Sequence, residues 1–394
     1  MPALDGMRVL DMTQYEAGTS CTQLLAWLGA DVIKIEPPGR GDPGRGVAGE
    51  GTVSQYFLNY NSNKRSLVID LSKSAGLELL LKMVPLADVF VENYGPGVVE
   101  KLRVDYPALS QINPGIIYGR IKGFGLSGPY SQYLAYDWVA QASAGAFSVT
   151  GERDGPPMTP APTIGDSGSG AQMALSITAA YVQKQQTGEG QLIELSMQEA
   201  VTLFMRTAGL RTWGTEAAKR NGNRRGPPTD VYPCKPGGDN DHIFIMVVTD
   251  KQWDALCTGI EEPEMLHDER FKDWRARLEN VDALYEIIST WTRARSKYDA
   301  MHHLASFGVP CSATLDTMEL FTDPHLKERG LIQTLKHPEA GDVQVMGMPA
   351  RLSGSEVPLT PAPLYGEHTD EILRSLLQID DVELDELRQN GIIA

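Results

Sequence analysis

Short apolar runs of β character alternate with stretches of helical spacing from Met7 to Gly125. Met7 to Asp11 (MRVLD) reads as a strand; Cys21 to Leu28 (CTQLLAWL) carries apolar residues at helical intervals; Gly29 closes that helix; Ala30 to Glu36 (ADVIKIE) is the next strand. The alternation continues through strand SLVIDL, helix GLELLLKMVPLA, strand DVFVENY, helix VVEKLRVDYPAL and strand GIIYGRIKGFG. Five β runs with helices between them predict an α/β fold built on a doubly wound parallel sheet.

Glycine and proline then crowd Gly151 to Gly170 (GERDGPPMTPAPTIGDSGSG), a long turn-rich loop, before a helix over about Ser167–Gln186, the strand LIELSM and the helix EAVTLFMRTAGL. Composition shifts in the polar run Thr212 to Thr229, which places a boundary near residue 222. Residues 1–222 form the first part of a large domain, and 223–325, with a strand (HIFIMVV) and amphipathic helices, form a smaller α+β domain. Residues 326–394 (strand VQVMGMPARL, terminal helix TDEILRSLL) return to complete the large domain.

The chain has 394 residues, with 51 acidic against 35 basic side chains and a net charge of −16. That balance argues against nucleic acid and anionic membranes as partners, because both select basic faces. No window approaches the roughly 18 apolar residues of a membrane span. The N-terminus carries acids where an export signal carries bases. Cys21, Cys234, Cys257 and Cys311 are scattered without metal or redox spacing, as expected of reduced thiols in the cytoplasm. His302 and His303 are adjacent in a helical run and point about 100° apart, so no metal site is expected.

No segment fits GxGxxG at the first strand-to-helix turn or the phosphate loop GxxxxGK[ST], so NAD and ATP are poorly supported. DPGRG, NYGPG, KGFGLSGPY and IGDSGSG are the glycine-bearing segments to weigh. In IGDSGSG, Asp166 precedes a helix start of small residues. It is either an N-cap, its oxygen accepting the N–H of Gly168 or Ser169, or a nucleophilic carboxylate with backbone donors beside it. Arg40, Arg45, Lys64, Arg65, Lys73, Lys101, Arg103 and Lys122 lie near loops of the first lobe; they are either solvated or assembled into a basic patch for a phosphorylated ligand.

Taken in order, LDMTQYEAGTSCTQLLAWLGADVIKIEPPGRGDPGR, NYNSNKRSLVIDL, ADVFVENYGPG, IKGFGLSGPY, IGDSGSG, TGEGQ, SMQEA, YPCKPGGD and PLYGEHTDEIL resemble the class III CoA-transferases (CaiB/BaiF), the family of formyl-CoA:oxalate and carnitine CoA-transferases. The resemblance implies a Rossmann-like large domain, an interlocked homodimer wrapped by the connections near 190–225 and 325–360, and coenzyme A as the acyl-CoA co-substrate. It makes Asp166 the nucleophile. Attack on a donor thioester yields an acyl-aspartyl anhydride and CoA thiolate; the acceptor acid displaces the first acid; CoA returns to form an aspartyl-CoA thioester; and the second acid collects the CoA.

The resemblance places Gln14, Tyr15, Arg40, Lys73, Asn93, Tyr94, Lys101 and Arg103 along the CoA, and Glu16, Tyr136 and Asp137 near the nucleophile. Oxalate-using relatives carry glutamine where this chain has Glu16, and a further carboxylate there repels a small dianion unless it is protonated or paired. Their tetraglycine loop is replaced by RNGNRRGPPTDVYPC, in which Arg224 and Arg225 are candidates to grip the distal carboxylate of a longer acid. A basic residue of the family corresponds to Leu134. The expectation is therefore CoA transfer from an acyl-CoA such as succinyl-CoA to a C4–C5 dicarboxylate. The α-methylacyl-CoA racemases of the same family use a histidine where this chain has Tyr136, a phenol and a poor base at neutral pH. Racemisation is thus the alternative activity, and a non-catalytic CoA-binding protein the alternative class.

Overall fold

The computed structural model describes residues 1–48, 53–224 and 226–394. β1 (Arg8–Met12) and β2 (Asp31–Glu36) flank α1 (Ala17–Trp27); then come α2 (Gln55–Asn61), β3 (Arg65–Val68), α3 (Ser74–Met83), β4 (Val89–Glu92), α4 (Val98–Leu102), α5 (Tyr106–Ile112), β5 (Ile117–Lys122), α6 (Asp137–Ser143), α7 (Ser167–Thr187), β6 (Leu192–Ser196) and α8 (Met197–Phe204). The six strands are parallel in the order β3-β2-β1-β4-β5-β6. Chain direction across the sheet reverses between β1 and β4, and open α/β sheets bind ligands outside the carboxyl ends of the strands at that point.

Successive side chains of a strand face opposite sides, and both sides of this sheet are covered. Leu10, Met12, Ile33, Ile35, Leu67, Phe90 and Tyr118 pack with α3 and the C-terminal helices. Val9, Val32, Val89, Val91, Ile117 and Ile121 pack with α1 and α7. The last two helices approach closely because their contacts are small: a Cβ on Gly170 would stand 2.1 Å from Ser20 Oγ and 2.7 Å from the Ala17 carbonyl oxygen.

Compact grouping separates residues 1–147, 159–215 and 330–394 from residues 148–158 and 216–329. The second unit holds β7 (Asp230–Pro233), β8 (His242–Ile245) and β9 (Cys311–Ala313) as an antiparallel sheet. Around it lie α9 (Asp250–Gly259), α10 (Trp274–Glu279), α11 (Val281–Arg293), α12 (Lys297–Ser306) and α13 (Pro324–Glu328), over a core of Trp253, Leu256, Phe271, Leu284, Ile288 and Leu304. Back in the first unit, β10 (Ile332–His337) and β11 (Gly341–Met346) form a hairpin whose Val343 and Val345 pack on Phe57 and Leu58 of α2. α14 (Thr369–Leu377) and α15 (Asp381–Gln389) follow, and the chain ends beside β3: Ile393 bridges Ile69, and the Asp70 N–H donates to the Ile392 carbonyl at 2.8 Å.

Two expectations are corrected. The helix expected over 98–109 is two helices, because Arg103 turns to φ +59° and Asp105 caps a new start before Pro107. The helix expected from Glu199 to Leu210 ends as α-helix at Phe204 and continues only as short 3₁₀ turns. Among the described residues no helix is long and apolar enough to cross a membrane.

Candidate active site

A cavity of about 260 Å³ opens at the β1/β4 switch point, lined from the β1 loop by Gln14 and Tyr15, from the β4 loop by Asn93 to Pro96, from the segment after β5 by Tyr133 to Tyr136, and by Asp166. The two strand loops are tied to each other: the Gln14 N–H donates to Asn93 Oδ1 at 2.9 Å, and Asn93 Nδ2 donates back to the Gln14 carbonyl at 2.8 Å. Tyr15 stands edge-on to Tyr136, ring centroids 6.1 Å apart.

Asp166 occupies the N-cap position of α7, yet its side chain caps nothing. The capping alternative is not realised: the residue is in helical backbone (φ −85°, ψ −71°) and its side chain accepts no helix N–H. At this end of α7 the N–H groups of Gly168 and Ser169 lie before the first complete turn, where helix donors lack helical acceptors. The carboxyl is pushed up to about 8 by burial first, then by the charges of Glu16 and Asp137. Asp137, the first residue of α6, accepts the Asp166 backbone N–H through Oδ1 at 3.0 Å and Gln141 Nε2 through Oδ2 at 2.6 Å. Only glycine fits beside it at residue 165, where a Cβ would lie 2.6 Å from the Asp137 carbonyl oxygen.

Glu16 is 3% exposed and its Oε1 accepts from Ser167 Oγ at 2.7 Å and from Thr163 Oγ1. Tyr60 is hydrogen-bonded to the same carboxylate, and burial together with the Glu16 charge raises its phenol well above the usual range. Among the described residues Glu16 has no ion-pair partner; hydroxyl donors alone stabilise it. Tyr60, Thr163 and Ser167 were not singled out from the sequence, since no local pattern marks three hydroxyls that converge from α2, a loop and α7. Their chain spacing carries no signal.

The basic patch is corrected. Arg45, Lys64 and Lys122 are buried in ion pairs with Glu36 (2.7 Å), Asp11 (3.1 Å) and Glu92 (2.8 Å), and Arg65 pairs with Asp31 (2.6 Å). Lys73 donates to the carbonyls of Asn390 and Gly391 at 2.8 and 3.0 Å. Arg40, Lys101 and Arg103 remain exposed and without ion pairs among the described residues. Arg224 belongs to the smaller unit, where it meets Asp282 at 2.9 Å and Asp230 at 3.8 Å; Arg225 lies outside the described residues. Among the described residues no group of three or more His, Cys, Asp or Glu could hold a metal ion.

A Rossmann-ordered sheet with a half-buried, uncapped aspartate at its switch point, in place of a glycine-rich phosphate loop, sets a carboxylate where open α/β sheets bind ligands. The sequence profile of CoA-transferase family III matches residues 4–369, and the chain belongs to that family. It is 38% identical over 409 residues to a formyl-CoA:oxalate CoA-transferase of Streptomyces coelicolor, with 99% of each chain covered. A Rhodopseudomonas palustris protein of the same name is 37% identical over 414 residues, covering 99% of this chain and 97% of its own. Among solved structures, a CaiB/BaiF family protein from Brucella suis superposes with a TM-score of 0.85 at 30% identity, covering 95% of this chain and 99% of that one. Rv3272 from Mycobacterium tuberculosis superposes with a TM-score of 0.81 at 27% identity, covering 94% and 98%.

Proposed function

We propose that this class III CoA-transferase works through Asp166, and the observation that carries the reading is a half-buried, uncapped carboxylate on the wall of the switch-point cavity. Ionised Asp166 attacks the thioester carbonyl carbon; the C–S bond breaks, leaving an acyl-aspartyl anhydride and CoA thiolate. The thiolate attacks the aspartyl carbonyl and expels the donor acid, giving an aspartyl-CoA thioester. The acceptor carboxylate attacks that thioester, releasing thiolate and forming a second anhydride, from which the thiolate takes the acceptor's acyl group and frees Asp166. The N–H groups at the start of α7, left uncapped by Asp166, are our candidates to stabilise the oxyanions. Gln14, Tyr15, Asn93 and Tyr94 line the CoA side of the cavity, with exposed Arg40, Lys101 and Arg103 available to its phosphates.

We assign the acceptor as a C4–C5 dicarboxylic acid and the donor as an acyl-CoA such as succinyl-CoA. Glu16 places a buried charge beside Asp166, against which oxalate, with adjoining carboxylates, would bring a second charge; a longer diacid carries its far charge away from it. The relatives named above carry the name formyl-CoA:oxalate CoA-transferase, and the family resemblance sets a glutamine of the oxalate-using members against Glu16 of this chain. We further assign a homodimer. Trp138, Leu175, Val182, Leu203, Phe204, Leu210 and Trp213 are each at least 45% exposed on α6 and α7, which both pack on α8, on α8 itself and on the turns that follow it, and large apolar side chains exposed on neighbouring elements mark an interface.

A donor–acceptor matrix read by mass spectrometry of the CoA products tests the substrate assignment; a preference for oxalate over C4–C5 diacids sinks it. Hydroxylamine trapping after incubation with acyl-CoA should yield an Asp166 hydroxamate, and its absence removes the covalent mechanism. Light scattering at the 43.1 kDa of one chain would refute the dimer.

A further inference from the structure

The β1 loop, which supplies Gln14 and Tyr15 to the cavity, is held by a buried charge network that the proposed chemistry does not touch. Thr13 donates its N–H to Asp11 Oδ1 at 3.0 Å, and its carbonyl accepts from Lys34 Nζ at 2.9 Å. Lys34 is fully buried and lies 2.6 Å from Asp42 Oδ2. Asp42 in turn accepts the Tyr15 N–H through Oδ1 at 3.0 Å and the Gly44 N–H at 2.7 Å, while its own N–H donates to Glu36 Oε2 at 2.9 Å. Tyr15 needs such a hold, because its φ is +59°, a left-handed conformation that costs a non-glycine residue free energy and persists only where the surroundings impose it. That conformation is what stands its ring edge-on to Tyr136 at the cavity wall.

We propose that Asp42, seated on Lys34, is a positioning residue for CoA binding: it holds Tyr15 in the left-handed backbone that builds the cavity wall. The turn GRGD thus contributes an inward strut as well as an exposed arginine. The proposal rests on the CoA reading given above. It acts through preorganisation, since a wall residue already in its bound geometry spares the ligand the cost of ordering it.

Isothermal titration of free CoA tests it, because a merely structural role lowers the fraction of competent protein without changing the Kd of what remains. Asp42→Asn keeps the acceptor oxygen and should bind within about threefold of wild type, whereas Asp42→Ala and Tyr15→Ala should each weaken CoA about tenfold. The double Asp42→Ala/Tyr15→Ala should be no weaker than Tyr15→Ala. Wild-type affinity in folded Asp42→Ala overturns the proposal, as does a double variant whose loss is the product of the two singles. If Asp42→Ala does not fold, Asp42→Ala/Tyr15→Gly should regain a cooperative melt, since glycine adopts positive φ freely; failure to regain it also overturns the proposal. Wild-type protein that binds no CoA would overturn the CoA reading itself, which is distinct from unchanged binding in Asp42→Ala.

Discussion

The backbone N–H of Asp166 donates to Asp137 Oδ1 at 3.0 Å, so one carboxylate fixes the main chain that carries another. Asp137→Ala removes both that bond and one of the two acceptors of Gln141 Nε2, the Pro162 carbonyl being the other. It should slow formation of the Asp166 adduct about a hundredfold while leaving CoA affinity close to wild type, because misplacing a reacting group by an ångström costs on that order. Single-turnover mass spectrometry and CoA titration measure the two effects separately.

Asp166, pushed up to about 8, is mostly protonated at neutral pH. Only the carboxylate attacks, so the single-turnover rate should rise about tenfold per pH unit and level off above pH 8. Stability moves the other way. With the folded value raised, the native state holds the proton more tightly, and this contribution is fully present below the ordinary aspartate value near 3.9 and is lost as pH rises through about 8. Asp166→Asn retains an uncharged side chain at every pH. It should therefore be more stable than wild type at pH 9 by about 1–2 kcal/mol, read by denaturant unfolding, while losing transferase activity.

Glu16→Gln removes the second-largest cause of the raised Asp166 value. The midpoint of the rate profile should fall by about one pH unit, and use of oxalate relative to longer diacids should rise. An unmoved midpoint would separate Glu16 from the nucleophile.

Gly170→Ala would drive a methyl to 2.1 Å from Ser20 Oγ and 2.7 Å from a backbone oxygen of α1. The backbone cannot give as a flexible side chain would, so the variant should lose about 2–3 kcal/mol in unfolding experiments and shift the start of α7 enough to slow adduct formation.

Breaking the buried Arg45–Glu36 pair should be among the costliest changes in the first unit. Arg45→Met leaves Glu36 charged in the interior, and a loss of about 3–5 kcal/mol is expected in the same assay.

The parallel sheet was legible because β1, β2, β4 and β5 are short runs rich in Val, Ile, Leu and aromatic residues, separated by stretches of helical spacing, a local signal. Asp166 was legible as a carboxylate at a helix start, but its surroundings were not: Glu16, Asp137 and the absent cap bond are tertiary facts. The basic patch misled for the same reason. Lys64 and Arg45 read as loop cations, but their partners Asp11 and Glu36 sit at the ends of β1 and β2, and nothing in the chain order announces that such charges meet in the interior. α2 and α6 escaped because each is seven residues long, too short for a helical period to stand out.

The end of the chain lies beside β3, with Ile392 and Ile393 completing the core over Leu67 and Ile69. A nascent chain that has not yet delivered those residues from the ribosome leaves that side of the sheet open, however complete its first six strands. The larger unit therefore cannot close its core until the segment after α15 has emerged, long after β6 has been made.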